Sequence, residues 1–225
     1  MERLYIHRFE IFFATQLIIL FGSLFFPTEF FEDVLTPILF LLNTLAGILL
    51  VSKKQKLMWF LILLVGISLV VFGSSMIQKN TAFEDNFIIR LSVYFVFYIL
   101  VTYQIIIQIW NARKVDNLVV IGLMSGYICL GFIAFFLFTT IELLEPGSYT
   151  ELLVEGTDNA RRLDSIMYYA YITLMTIGYG EIIPTTPLAQ KAAILVGLMG
   201  QFYLVIITAI VVGKYISQSR RAEEQ

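Results

Sequence analysis

Six stretches of this 225-residue chain run for eighteen residues or more without a charged side chain: 11–28, 34–52, 57–78, 91–112, 117–141 and 192–213. A helix of that length and apolarity reaches across the hydrocarbon core of a bilayer. An isolated strand is excluded there, because it would leave its backbone polar groups unpaired in lipid. The expected fold class is therefore an all-α membrane protein with six transmembrane helices. With 59% hydrophobic residues and a mean hydropathy of +0.84, the chain is far more apolar than a soluble domain of its length. The first stretch follows Arg3 and Arg8, yet it is too long for a secretory signal and no small-residue cleavage site follows it. Cys129, the only cysteine, falls inside the fifth stretch, which excludes a disulfide within the chain and any cysteine metal site.

Charge sets the orientation. Placing the N-terminus in the cytoplasm leaves ten Lys and Arg inside and five outside, as the positive-inside rule demands. The carboxylates divide the other way, with twelve outside, Glu142 and Glu145 among them, and five inside. Such an acidic outer face either concentrates cations at a pore mouth or is a solvated rim. Both termini are expected in the cytoplasm and the protein in the cell membrane, plasma or inner, with lipid as a partner and no nucleic acid. Residues 1–112 hold four spans joined by short loops. Residues 113–225 hold two, separated by a long insertion, and no internal repeat is present.

Within that insertion, residues 145–163 carry Pro146-Gly147-Ser148 and Gly156-Thr157-Asp158-Asn159 and read as an extracellular turret. Asp164 or Ser165 can N-cap a helix over 164–175 that is too short to cross. Entering from outside, it would aim its negative C-terminal end at mid-membrane, where a cation needs support. Thr176-Ile177-Gly178-Tyr179-Gly180 follows. Glycines at alternate positions reach dihedrals closed to other residues, so successive carbonyls can face one axis while side chains turn away. Carbonyl oxygens of Thr176, Ile177, Gly178 and Tyr179, with the Thr176 hydroxyl, would then replace the hydration shell of a monovalent cation.

From about Leu118 to Ser217 the chain resembles the tetrameric potassium channel family, the resemblance resting on the Thr176–Gly180 string and the helices that flank it. It implies an outer helix over 117–144, a pore helix over 164–175, a filter over 176–180 and an inner helix over 188–217. Four copies would surround one pore, with potassium ions held at Thr176, Ile177, Gly178 and Tyr179 and no other cofactor. Tyr168 and Tyr169 fall where the family carries aromatics that brace the filter tyrosine, although a membrane-interface belt is the competing reading. Glu181 stands where Asp is usual, Met175 where many members have a second Thr, and Ile172 where some bacterial members place a carboxylate. Gly200 follows Gly180 by twenty residues, the spacing of the family's hinge glycine. Close helix packing by Gly197 and Gly200 explains it equally well. Gln201, Leu204, Thr208 and Val212 recur on one helical face, which by resemblance lines the cavity.

The obvious controls of such a pore are not legible. Between Phe87 and Trp110 the fourth span holds Arg90 alone, against the several spaced arginines of a voltage sensor, so weak voltage dependence is expected. The tail from Lys214 is expected to leave no room for a ligand-binding module. Gln16, Asn43, Tyr94, Tyr98, Tyr103, Gln104 and Gln108 are expected to form hydrogen bonds between helices. An enzyme is not expected: Gly122-Leu123-Met124-Ser125-Gly126 only faintly resembles a protease serine motif, and the one histidine, His7, lies outside the spans, leaving no base for Ser125. A nonselective cation channel and a non-conducting, regulatory channel-like subunit are the alternative functions.

Overall fold

The computed structural model describes residues 7–26, 30–31, 35–52, 54–77, 83–112, 114–150 and 159–223, with side chains at 71–77, 83–87, 90, 159–161 and 221–223 outside the described set. The elements in chain order are α1 (Arg8–Phe21), α2 (Thr36–Val51), α3 (Gln55–Ile77), α4 (Phe83–Asn111), α5 (Asn117–Leu144) and α6 (Asn159–Leu174). They are followed by α7 (Pro187–Phe202), a π-helical turn (Tyr203–Ile207) and α8 (Thr208–Glu223) without a break. Among the described residues no strand forms, and only an isolated antiparallel bridge joins Tyr149 to Pro184. The architecture is thus all-helical. Among the described residues, three helical segments are long and apolar enough to cross a membrane, Leu91–Asn111, Asn117–Leu144 and Pro187–Arg220, while Thr36–Val51 and Gln55–Val70 are shorter apolar helices.

Local chemistry sets several ends. Asp116 N-caps α5, its carboxylate accepting from the Val119 N–H at 3.0 Å. Thr186 caps α7 in the same way through the Ala189 N–H, and Pro187 opens that helix where its missing donor does no harm. The chain divides into two compact units, Met1–Val101 and Thr102–Gln225. The division falls inside α4, between Val101 and Thr102, and in the second unit the end of α4 approaches Gly126 through Ile105 and Lys214 through the Ile109 carbonyl.

The first unit is held by apolar packing around a buried polar node on α2. Asn43, fully buried on α2, donates to the Phe12 carbonyl at 3.1 Å and to the Thr15 hydroxyl at 2.7 Å, and accepts from the Tyr98 hydroxyl at 2.7 Å. Three helices therefore meet on one amide. The expected hydrogen bonding between helices holds for Asn43, for Tyr98 and for Tyr94, whose hydroxyl accepts from Ser68 at 3.4 Å, whereas Tyr103 is exposed. Arg90's side chain lies outside the described residues.

In the second unit α5 is the spine. Gly126 and Gly131 each leave room for a tyrosine, Tyr203 and Tyr171 respectively, where any Cβ would overlap the phenol. Each hydroxyl donates to the carbonyl three residues before its glycine: Tyr203 to Leu123 at 2.7 Å and Tyr171 to Ile128 at 2.9 Å. α6 and the π-helical turn that follows α7 are thereby pinned to α5 by one device used twice. In the first half of α8, the Lys214 ammonium donates to the carbonyls of Ile109 (3.1 Å), Trp110 and Ala112 (3.0 Å). Those carbonyls close α4, where a cation is favoured by the helix dipole. Gln218, one turn on, accepts from the Val115 N–H at 2.9 Å.

Candidate functional site

The short helix before the Thr176–Gly180 loop begins earlier than expected. Asp164 and Ser165 lie inside α6, which starts at Asn159, because Ala160, Arg161, Arg162 and Leu163 are good helix formers. Part of the expected turret, residues 151–158, lies outside the described residues. At its other end α6 closes with a Schellman motif. The Ile177 N–H donates to the Ile172 carbonyl at 2.9 Å and the Thr176 N–H to Thr173 at 3.0 Å. Thr176 occupies the left-handed position of that motif, φ +57°, where glycine is usual. The first residue of the loop is thus also the cap of the helix.

This left-handed threonine is a feature that sequence reading missed. It completes a pattern, since Gly178 (φ +57°) and Gly180 (φ +95°) are left-handed too, while Ile177 and Tyr179 are not. In a regular strand, successive carbonyls flip from side to side; inverting the handedness at every second residue cancels the flip and turns them to one side. The two glycines face open space, so their lack of a Cβ serves the backbone angle and not packing. Thr176 has no such freedom, and a left-handed L-residue costs about 1–2 kcal/mol. All five loop residues are exposed in the single chain, with Ile177 at 46% and Tyr179 at 72%.

Beyond the loop, a strap ties its far end to the segment after α5. The Thr150 N–H donates to Ile183 O at 3.0 Å and the Thr185 N–H to Ser148 O at 2.8 Å. The hydroxyls of Thr185 and Thr150 add bonds to Gly147 O (2.7 Å) and from Ile183 N–H (2.9 Å). Glu142 belongs to this strap and not to an exposed acidic rim: it is 5% exposed and accepts from the Gly147 N–H at 3.0 Å. The signal available in the sequence was its place, two residues before the end of an apolar helix and five before the glycine of a Pro-Gly turn.

The two tyrosines expected to brace Tyr179 divide. Tyr169 is buried against Phe138 and Tyr149, with ring centroids 4.9 and 5.3 Å away, and hydrogen-bonds Thr173. It supports α6 from behind and does not brace Tyr179. Burial pushes the Tyr149 phenol's pKa up, with Tyr169 and Glu142 adding to it. Tyr168 reaches the loop instead. Its hydroxyl donates to the Glu181 carboxylate, and that bond, followed by lesser effects of burial and of charge at Glu181 and Tyr179, pushes its pKa from 10.0 up to about 12.

On α7, Gly200 meets the end of α6. A Cβ there would run into the Leu174 carbonyl, a backbone group that also accepts from the Tyr127 hydroxyl at 3.4 Å. Of the two readings of this residue, close packing has a contact and the hinge has none at this position; Gly197, by contrast, faces open space. The irregularity in the helix comes three residues later, at the π-helical turn Tyr203–Ile207, a type of turn that recurs at functional sites. Gln201, Leu204, Thr208 and Val212 are all exposed on the open side of the chain, and the Gln201 amide donates to the Thr176 hydroxyl at 3.2 Å.

Chemically, the site is a short loop in which every second residue, Thr176, Gly178 and Gly180, has left-handed φ. It is held between the negative end of a half-length helix and a cross-linked strap, and flanked by two long apolar helices. No curated protein and no solved structure matches the chain. Residues 122–217, from α5 to α8 and including the whole loop, match the family model described as "Ion channel". That match, with the apolar helices, indicates an ion channel carried on a multi-pass membrane protein.

Proposed function

We propose that the chain is a potassium-selective channel, conducting potassium passively through four copies of the Thr176–Gly180 loop around one axis. One observation carries this reading: left-handed φ at Thr176, Gly178 and Gly180, alternating with Ile177 and Tyr179, in a loop that starts at the C-terminal end of α6. One-sided carbonyls from four chains form stacked oxygen cages that replace a hydration shell. The dipole of α6 lends negative potential at the end where the ion is least hydrated. A single chain supplies a quarter of each cage, and the exposure of Ile177 and Tyr179 is consistent with neighbouring copies covering them. In this reading all six apolar stretches span the cell membrane with both termini in the cytoplasm. The ion is the only small partner, and no catalysis takes place. Voltage dependence is weak, since Arg90 is the one basic residue between Phe87 and Trp110.

The test is a reversal-potential measurement on the reconstituted chain under mixed potassium and sodium, repeated with Gly178→Ala. A reversal potential that follows the potassium gradient, lost in the variant because Ala resists φ +57°, supports the proposal. Equal sodium and potassium permeability makes the chain a nonselective cation channel. No flux from purified tetramer makes it a non-conducting subunit.

A further inference from the structure

The Thr176 hydroxyl has one proton and two lone pairs to place. Its proton goes to the Met175 carbonyl at 2.7 Å, and one lone pair accepts from the Gln201 amide at 3.2 Å. One lone pair is left, on a residue that is exposed in the single chain. We propose that Gln201 is a positioning residue for the cation site nearest α6. By pressing an N–H onto one lone pair it holds the hydroxyl rotor with its proton on Met175, so that a bare lone pair, and never the proton, meets the ion. This inference rests on the conducting reading given above and adds to it a residue outside the loop.

Two features make the contact a built one. Gly200 lets α7 approach the Leu174 carbonyl more closely than any side chain would allow, and the next residue, Gln201, then reaches the hydroxyl two positions beyond Leu174. Thr176 is also held in a strained left-handed cap where glycine would fit better, so the position retains a hydroxyl despite the backbone penalty. Both Gln201 and Thr176 are exposed, so truncating Gln201 opens no cavity and the contact is not a packing requirement. The ligand class is a weakly hydrated cation of potassium's size, bound by oxygen.

The probe is barium, close to potassium in radius with twice the charge, titrated as a blocker of potassium flux through the full chain in proteoliposomes. Gln201→Met keeps the length and removes the N–H; it should weaken half-maximal block about threefold to tenfold, the worth of one hydrogen bond. In a Thr176→Ser background, which keeps the hydroxyl, the same shift should persist. In a Thr176→Ala background it should vanish. Gln201→Leu repeats the measurement should the Met variant fail to assemble. Unchanged block in Gln201→Met, or an equal shift in the Thr176→Ala background, overturns the positioning role while leaving conduction intact. Absence of flux from the unaltered chain overturns the conducting reading, and this inference with it.

Discussion

Replacing Gly200 by Ala separates packing from hinging, and Gly197→Ala is its control in the same helix. A Cβ at Gly200 would stand 2.1 Å from the Leu174 carbonyl oxygen and 3.1 Å from its carbon, whereas real contacts of this kind stay above 3.0 Å. The helix must therefore retreat by about 1 Å from a backbone group that the Schellman motif and Tyr127 hold in place, an overpacking worth about 1–3 kcal/mol. Both substitutions gain about 1 kcal/mol of helix propensity, which cancels between them. Gly197 has nothing within 4 Å, so its variant keeps the propensity gain. The two proteins should differ by about 1–3 kcal/mol per chain, with Gly200→Ala the less stable. Equilibrium unfolding in detergent, followed by helical circular dichroism, measures the difference. Equal stabilities, together with a shifted open probability for Gly200→Ala alone, would refute the packing account and restore a hinge at that residue.

Asn43→Leu removes three buried hydrogen bonds from the first unit at about 0.6 kcal/mol each, so a loss of about 2 kcal/mol is expected in the same unfolding measurement; Tyr98→Phe should lose about a third of that. Thr176→Gly relaxes the left-handed cap and should raise stability by about 1 kcal/mol while reducing potassium flux, because the hydroxyl goes with it. Tyr168 keeps its proton in the folded chain until about pH 12 but loses it from pH 10.0 when unfolded. The neutral phenol's contribution is fully present below pH 10 and disappears as pH rises toward 12. Tyr168→Phe should therefore flatten the alkaline fall in stability across that window, with phenolate absorbance as the direct check on the titration.

What was legible in the chain was whatever local chemistry decides. Charge-free runs mark the helices because lipid admits no other use of them, and Asn117–Leu144 begins and ends where its Asp116 cap and the Pro146-Gly147 turn require. The loop was readable from its alternate glycines. What escaped reading depends on contacts distant in sequence. Nothing in Thr176 itself announces a left-handed cap, since threonine is among the residues least suited to one; the Ile172 and Thr173 carbonyls put it there. Glu142 looks like any rim carboxylate until the Gly147 N–H folds back onto it. Tyr168 and Tyr169 are adjacent and chemically alike, yet one faces Glu181 and the other Phe138, a difference made by helix rotation against α5. The π-helical turn lies in an unbroken apolar run, Tyr203–Ile207, and its anchor is a carbonyl eighty positions earlier, at Leu123.

The ammonium of Lys214 makes the end of α4 and the middle turns of α8 a single thermodynamic object. Three carbonyls of one helix terminus share one cation from another helix, and Gln218 adds the Val115 amide to the same joint. Any displacement of α8 that leaves those carbonyls uncapped forfeits that binding free energy. Any influence that reshapes the end of α4 shifts the position of α8 by the same amount, because linkage is reciprocal. Within the second compact unit, the joint at Lys214 thus makes the position of α8 and the conformation of the α4 terminus, Ile109 to Ala112, functions of each other.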